Sequence, residues 1–166
     1  CDITWTFRYF NFYGKVGFYM GKIISSYIFP HPPIIVPEVG KGAEKDAVNT
    51  INAVEKAASE IKEDRPTTIV ITTPHAPVFQ DYIYVSVSPR LSGSLERFGN
   101  GDVKLEYENN VELVNKIIEN ANSEGIYAGG LDDSIARKYN VSKELDHGAL
   151  VPLYFINRKY KNFKLV

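Results

Sequence analysis

Cysteine is nearly missing from this chain: 166 residues hold one Cys, one Met and one Trp. A single thiol closes no internal bridge, so a disulfide-stapled scaffold is excluded. A reducing compartment, the cytoplasm, is the simplest setting. A dominant charge is also missing. Nineteen Lys and Arg stand against twenty Asp and Glu, a formal net charge of −1. The basic excess that a nucleic-acid surface needs is not there. No apolar run approaches the roughly 20 residues of a membrane span. Three glycine signatures are absent too: GxGxxG, GxxxxGK[ST] and GxSxG. Dinucleotide, P-loop and serine-elbow readings lose their support with them. "FGNGD" holds a G-x-G, but no helix follows it, and it reads as a hairpin turn.

What is present is ordinary globular composition, with 44% hydrophobic and 23% charged residues, and length enough for one domain. The opening stretch, "CDITWTFRYFNFYGKVGFY", stands apart. It carries the only Cys and Trp and a crowd of Phe and Tyr, with neither strand alternation nor a helical stripe. It also lacks the basic start and cleavage site of a signal peptide. Residues 1–19 are therefore read as a leader or artefactual extension, with Met20 as the natural start. Cys1, lying there, is set aside as a nucleophile. Residues 20–166 are read as the amino-terminal part of a domain, because the chain stops inside an apolar strand, "FKLV". The sheet edge so exposed predicts poor solubility for that part alone.

From residue 22 to 29, "KIISSYIF" reads as a buried strand that Pro30 stops. A rigid Pro/Gly loop follows. Residues 43–62 carry Val48, Ile51, Val54, Ala58 and Ile61 at helical spacing. "TTIVITT", residues 67–73, reads as a second apolar strand. Strand, helix, strand implies a parallel crossover. Residues 81–87 alternate as a further strand. "SPRLSGSLERFGNGDVKLEYEN" reads as a polar loop or short hairpin. Residues 110–125 form an amphipathic helix that Gly125 ends. "LDDSIARKYN" is a short helix with an Asp near its start. "DHGALVPLYFINRKY" opens a buried helix with Pro152 in its first turns. The architecture is α/β, a largely parallel sheet with helices on both faces.

The chain has three histidines, and each lies at a junction between elements. His31 and His75 each follow a strand by two residues. In an open α/β sheet, binding groups gather at the carboxyl ends of the strands. If the two strands are neighbours, their tips lie roughly 5 Å apart, or about twice that with one strand between. Two imidazoles leaving them converge on one ion, and neutral imidazole suits zinc or iron. Pro30, Pro32, Pro74 and Pro77 stiffen the loops, so less entropy is lost in fixing the ligands. His147 opens a helix, whose amino end disfavours imidazolium and leaves the ring able to accept a proton or bind a metal. Asp146 caps the helix or orients the ring, and Gly148 leaves room for a ligand.

Four motifs, "YIFPHPPIIVPEVGKG", "IVITTPHAPVFQDYI", "GGLDDSIARKY" and "LDHGALVPLYFI", resemble the class III extradiol ring-cleavage dioxygenase superfamily, the fold of its catalytic B subunit. The nearest branch in appearance is the one associated with AmmeMemoRadiSam proteins and related to Memo. The resemblance spans nearly all of residues 21–166. It implies a non-haem Fe(II) site, zinc being the other metal considered, with His31 and His75 as two ligands. It implies that His147 is the active-site histidine, an acid/base in some branches and assigned to the metal in others. Asp146, Gly148, Pro32 and Pro74 would line or support the pocket. The family's remaining ligand, Glu or His, would come from a later, carboxyl-terminal part. The implied substrate is a catechol-like aromatic diol, opened with O₂. The implied macromolecular partner is a second copy or an AmmeMemoRadiSam domain. Two other readings stay open: a Memo-like metal- or ligand-binding protein of a radical-enzyme system, and a zinc hydrolase.

Overall fold

A computed structural model describes residues 21–76 and 78–166; the leader and Met20 expectations, and Pro77, lie outside them. After a 3-10 turn at Pro33–Ile35, the elements run α1 (Pro37–Gly40), α2 (Val48–Asp64), β1 (Thr68–Ile69), β2 (Ile83–Ser86) and β3 (Arg90–Leu95). They continue with β4 (Asn100–Glu108), α3 (Val111–Ser123), β5 (Ala128–Leu131), α4 (Asp133–Tyr139), α5 (His147–Lys159) and β6 (Lys164–Leu165). This is a mixed α/β fold. Its strands form three two-stranded ladders among the described residues: β1 with β6 and β2 with β5, both parallel, and β3 with β4, antiparallel.

α5 is the centre of the fold. Every residue from 148 to 156 is buried, the condition in which a helix can be apolar all round. It packs against α2 on one side and the β3–β4 hairpin on the other. α2 turns Val54, Ala57, Ala58 and Ile61 into this contact, four residues at three- and four-residue spacing. The short helices begin as their local chemistry dictates. Asn110, Asp132 and Asp146 each accept a hydrogen bond from a first-turn N–H of α3, α4 and α5, using donors that a helix start otherwise leaves unpaired. Gly125, with φ 78°, turns the chain away after α3, a conformation glycine adopts without Cβ clash.

Two expectations are corrected and one open reading is decided. Residues 22–29 are not a buried strand: apart from a single bridge residue, Ser26, they join no ladder among the described residues. Ile23 and Ile28 are 63% and 64% exposed. The segment is extended, with Tyr27 and Phe29 packed on the core, so its apolar content reflects one-sided contact and not burial within a sheet. The crossover between it and residues 67–73 therefore does not form as a ladder.

The polar stretch from residue 88 takes the hairpin and not the loop alternative, and it is the longest pairing among the described residues. Leu91 and Leu95, and Val103 and Tyr107, point inward, with Gly93 and Leu105 between them completing the two-residue spacing on that face. Ser, Lys, Glu and Asp hold the outer face, which hides the alternation.

Nor is "FKLV" an open edge. Leu165 is fully buried. β6 pairs with β1 on one side, and on the other Leu165 bridges Asn109 and accepts from the Asn110 N–H at 3.0 Å.

Asn109 ties the ladders together. Its side-chain amide donates to the carbonyls of Ser86 and Ser88, both at 2.8 Å, and its backbone N–H donates to Pro89. One buried residue thus joins the end of β2, the end of β4 and β6. No helix among the described residues is long and apolar enough to cross a membrane.

Candidate metal centre

His31 leaves the extended segment just after Phe29 and precedes the Pro33–Ile35 turn. Its Nδ1 lies 3.3 Å from the Phe29 carbonyl. A proton on that nitrogen is the arrangement the carbonyl selects, and it leaves the Nε2 lone pair free. His75 stands in a turn beyond the extended continuation of β1, where the Ile71 N–H still donates to Val166. The two side chains meet: His31 Nε2 and His75 Nε2 are 2.9 Å apart, with ring centroids at 4.9 Å and planes at 76°.

His147 is the first residue of α5. Its ring stacks on His75 at 4.0 Å and 28°, and lies 5.9 Å from His31. Phe98, on the turn between β3 and β4, meets His147 edge-on at 5.0 Å. Asp146 caps α5. Its Oδ1 accepts from the Gly148 N–H at 2.6 Å and from the Thr73 hydroxyl at 2.7 Å. Thr73 Oγ1 in turn accepts from the His75 N–H at 3.2 Å.

The electrostatics keep His147 neutral. Burial disfavours its imidazolium first, the neighbouring His75 and His31 disfavour it further, and Asp146 opposes them. The net effect is a pKa below the ordinary 6.5. The amino end of α5 acts in the same sense. Asp146 also reaches Tyr84, whose hydroxyl is pushed up by burial first and by the Asp146 charge second.

Of the residues singled out in the sequence, His31, His75, His147, Asp146 and Gly148 come together. Gly148 is buried against Thr73 and His75, with no room for a Cβ. Pro32 is exposed and turns the chain, its carbonyl accepting from the Ile35 N–H at 3.1 Å. Pro74 is exposed in the turn that carries His75. Each lies beside one of the paired histidines in the chain. Two residues escaped sequence reasoning. Thr73 sits in a strand-like run two places before His75, and that spacing was the only signal. Phe98 sits in a stretch read as a loop or short hairpin. Among the described residues, no set of three or more His, Cys, Asp or Glu side chains is placed to hold an ion; the close donors are the His31–His75 pair.

A mixed α/β fold brings the three histidines together, and comparison with known proteins places the chain in a family. The family model described as the catalytic LigB subunit of aromatic ring-opening dioxygenase matches residues 25–166. The chain belongs to this family, of the class III extradiol dioxygenases. A similar protein, Protein CA_C1420 of Clostridium acetobutylicum, is 47% identical over 140 residues, which make up 84% of this chain and 30% of that protein. The chain thus spans under a third of the length of this curated relative.

Proposed function

We propose that the chain carries the metal-binding and proton-moving part of a non-haem Fe(II) dioxygenase that opens catechol-like rings, with His31 and His75 as ligands and His147 as acid/base. The 2.9 Å between the two Nε2 atoms carries this reading. Two lone pairs facing each other at that distance repel unless a cation or a proton lies between them. Imidazole nitrogens bind such ions at about 2.1 Å, so two nitrogens 2.9 Å apart are close enough for both to reach one ion. Neutral imidazoles suit ferrous iron, and zinc takes the same donors. Further positions would go to a third protein donor and to substrate.

Bound Fe(II) would supply an open-sided Lewis acid at which a diol and O₂ meet. The protein's own groups do the rest. His147, held neutral, accepts a proton from a diol hydroxyl as that oxygen binds, and returns it later in the cycle. Asp146 and the first turn of α5 fix where that ring stands. Phe98 and His75 flank it and limit the water that reaches it.

Anaerobic Fe(II) loading of the natural full-length protein, followed by O₂ uptake with a panel of catechols, tests the reading. Uptake with at least one diol is expected, and metal content should fall in His31→Ala and in His75→Ala. Bound iron with no uptake for any diol would overturn the oxygenase reading. Metal content unchanged in both variants would overturn the site.

A further inference from the structure

We infer that Thr73 is a positioning residue of this centre: its hydroxyl sets the spacing between His75 and His147. The inference rests on the reading of His31 and His75 as metal ligands. The two rings stack at 4.0 Å, yet they come from segments 72 residues apart in the chain. One atom links those segments. Thr73 Oγ1 accepts from the His75 N–H at 3.2 Å and donates to Asp146 Oδ1 at 2.7 Å. That same Oδ1 accepts from the Gly148 N–H at 2.6 Å. The loop of His75 is thereby fastened to the cap of the helix that His147 opens.

The hydroxyl is also boxed in. A Cβ on Gly148 would overlap Thr73 Oγ1 and come within 3.0 Å of His75 Cδ2. A β-branched side chain has little χ1 freedom with which to move aside. The bond to Asp146 is charge-assisted, and so stronger than a neutral pair. A bland account is that Thr73 merely steadies the helix start. Asp146 caps α5 without help, through its bond to the Gly148 N–H, and that account leaves the bond to His75 without a purpose. Residues that hold metal ligands from behind typically change metal affinity by about 10- to 100-fold when altered.

Thr73→Val removes the hydroxyl and keeps the shape; Thr73→Ser keeps the hydroxyl. Two readouts separate positioning from simple support: Co(II) affinity by titration, and the nuclear Overhauser contact between the His75 and His147 ring protons in metal-free protein. Thr73→Val is expected to weaken Co(II) binding by about 10-fold or more and to lose the ring contact. Thr73→Ser is expected to restore both. Thr73→Val with affinity and ring contact intact, whether or not its melting temperature falls, would overturn the inference. If the wild-type protein binds no Co(II), the ligand reading fails by itself. The ring contact then decides: its loss in Thr73→Val supports the role of Thr73, and its persistence overturns it. Should Thr73→Val not fold, Thr73→Ala, which leaves a gap instead of a methyl against the helix turn, carries the same two readouts.

Discussion

Gly148→Ala sets two effects against each other, and their magnitudes decide the sign. Alanine is the better helix former by about 0.8–1.0 kcal/mol, so a glycine in the first turn of α5 looks like an easy place to gain stability. The surroundings forbid it. The new Cβ would overlap Thr73 Oγ1, come within 2.9 Å of Asp146 Oδ1 and crowd His75 Cδ2. None of these atoms is the free end of a flexible chain: Thr73 is β-branched, and Asp146 is held by two donors. Displacing the threonine hydroxyl loses a hydrogen bond to a carboxylate, worth about 1.5–3 kcal/mol, and overpacking adds about 1–3 kcal/mol. Against a gain of about 1 kcal/mol from propensity, the net loss is about 1.5–5 kcal/mol. For a chain of this size that lowers the melting temperature by roughly 3–20 °C. Scanning calorimetry or a urea melt with unchanged slope reads it directly. The steric origin has its own signature. In the Thr73→Ala/Gly148→Ala double variant the obstructing hydroxyl is gone, so the double should cost less than the sum of the singles by about 1 kcal/mol or more. A single variant as stable as the wild type, or strictly additive singles, would refute the packing argument.

Asn109→Ala leaves the carbonyls of Ser86 and Ser88 without their side-chain donor, and a loss of about 2–6 kcal/mol is expected at roughly 1–3 per unpaired buried group. Asn109→Asp should be worse in a denaturant melt at neutral pH, since an acceptor then faces two acceptors. Tyr107 is buried, and burial pushes its hydroxyl well above the ordinary value of 10. A raised folded-state pKa means that its contribution is whole below pH 10 and lost as pH rises beyond it. Stability should fall there by up to about 1.4 kcal/mol per pH unit. A pH series of melts on Tyr107→Phe, compared with the wild type, should show that part of the slope gone.

The helices were legible because what makes them is local. Three- and four-residue spacing in residues 48–61 and 111–121, and Asp or Asn at a start, are read within one turn of chain. Strands were harder, because a strand exists only with its partner. "KIISSYIF" has every compositional mark of one, yet among the described residues it forms no ladder beyond a bridge at Ser26, while two-residue β6 is locked between neighbours from residues 68–71 and 109–110. Nothing within either segment reports what will lie beside it. The β3–β4 hairpin was only half legible, as one of two readings beside a loop, for another reason. Its inward face is a clean alternation of Leu91, Leu95, Val103 and Tyr107, but the outward residues are those usually counted as loop formers. The period was the signal, and composition obscured it.

The centre divides along the same line. Histidines at the ends of elements stand out because they interrupt a pattern, and three interruptions invite the thought that the ends meet. What organises them does not stand out. Thr73 is one of four threonines in "TTIVITT", and only the fold distinguishes it, by placing its hydroxyl between an amide three bonds from one imidazole and the carboxylate that caps the helix of another. Phe98 reaches His147 across a hairpin whose turn depends on Gly99 at φ 82°. Titratable side chains declare themselves by kind, whereas positioning groups are defined by their neighbours. Sequence therefore names the side chains that stand out by kind, and the structure shows the hydroxyl that lies hydrogen-bonded between the His75 amide and the Asp146 carboxylate.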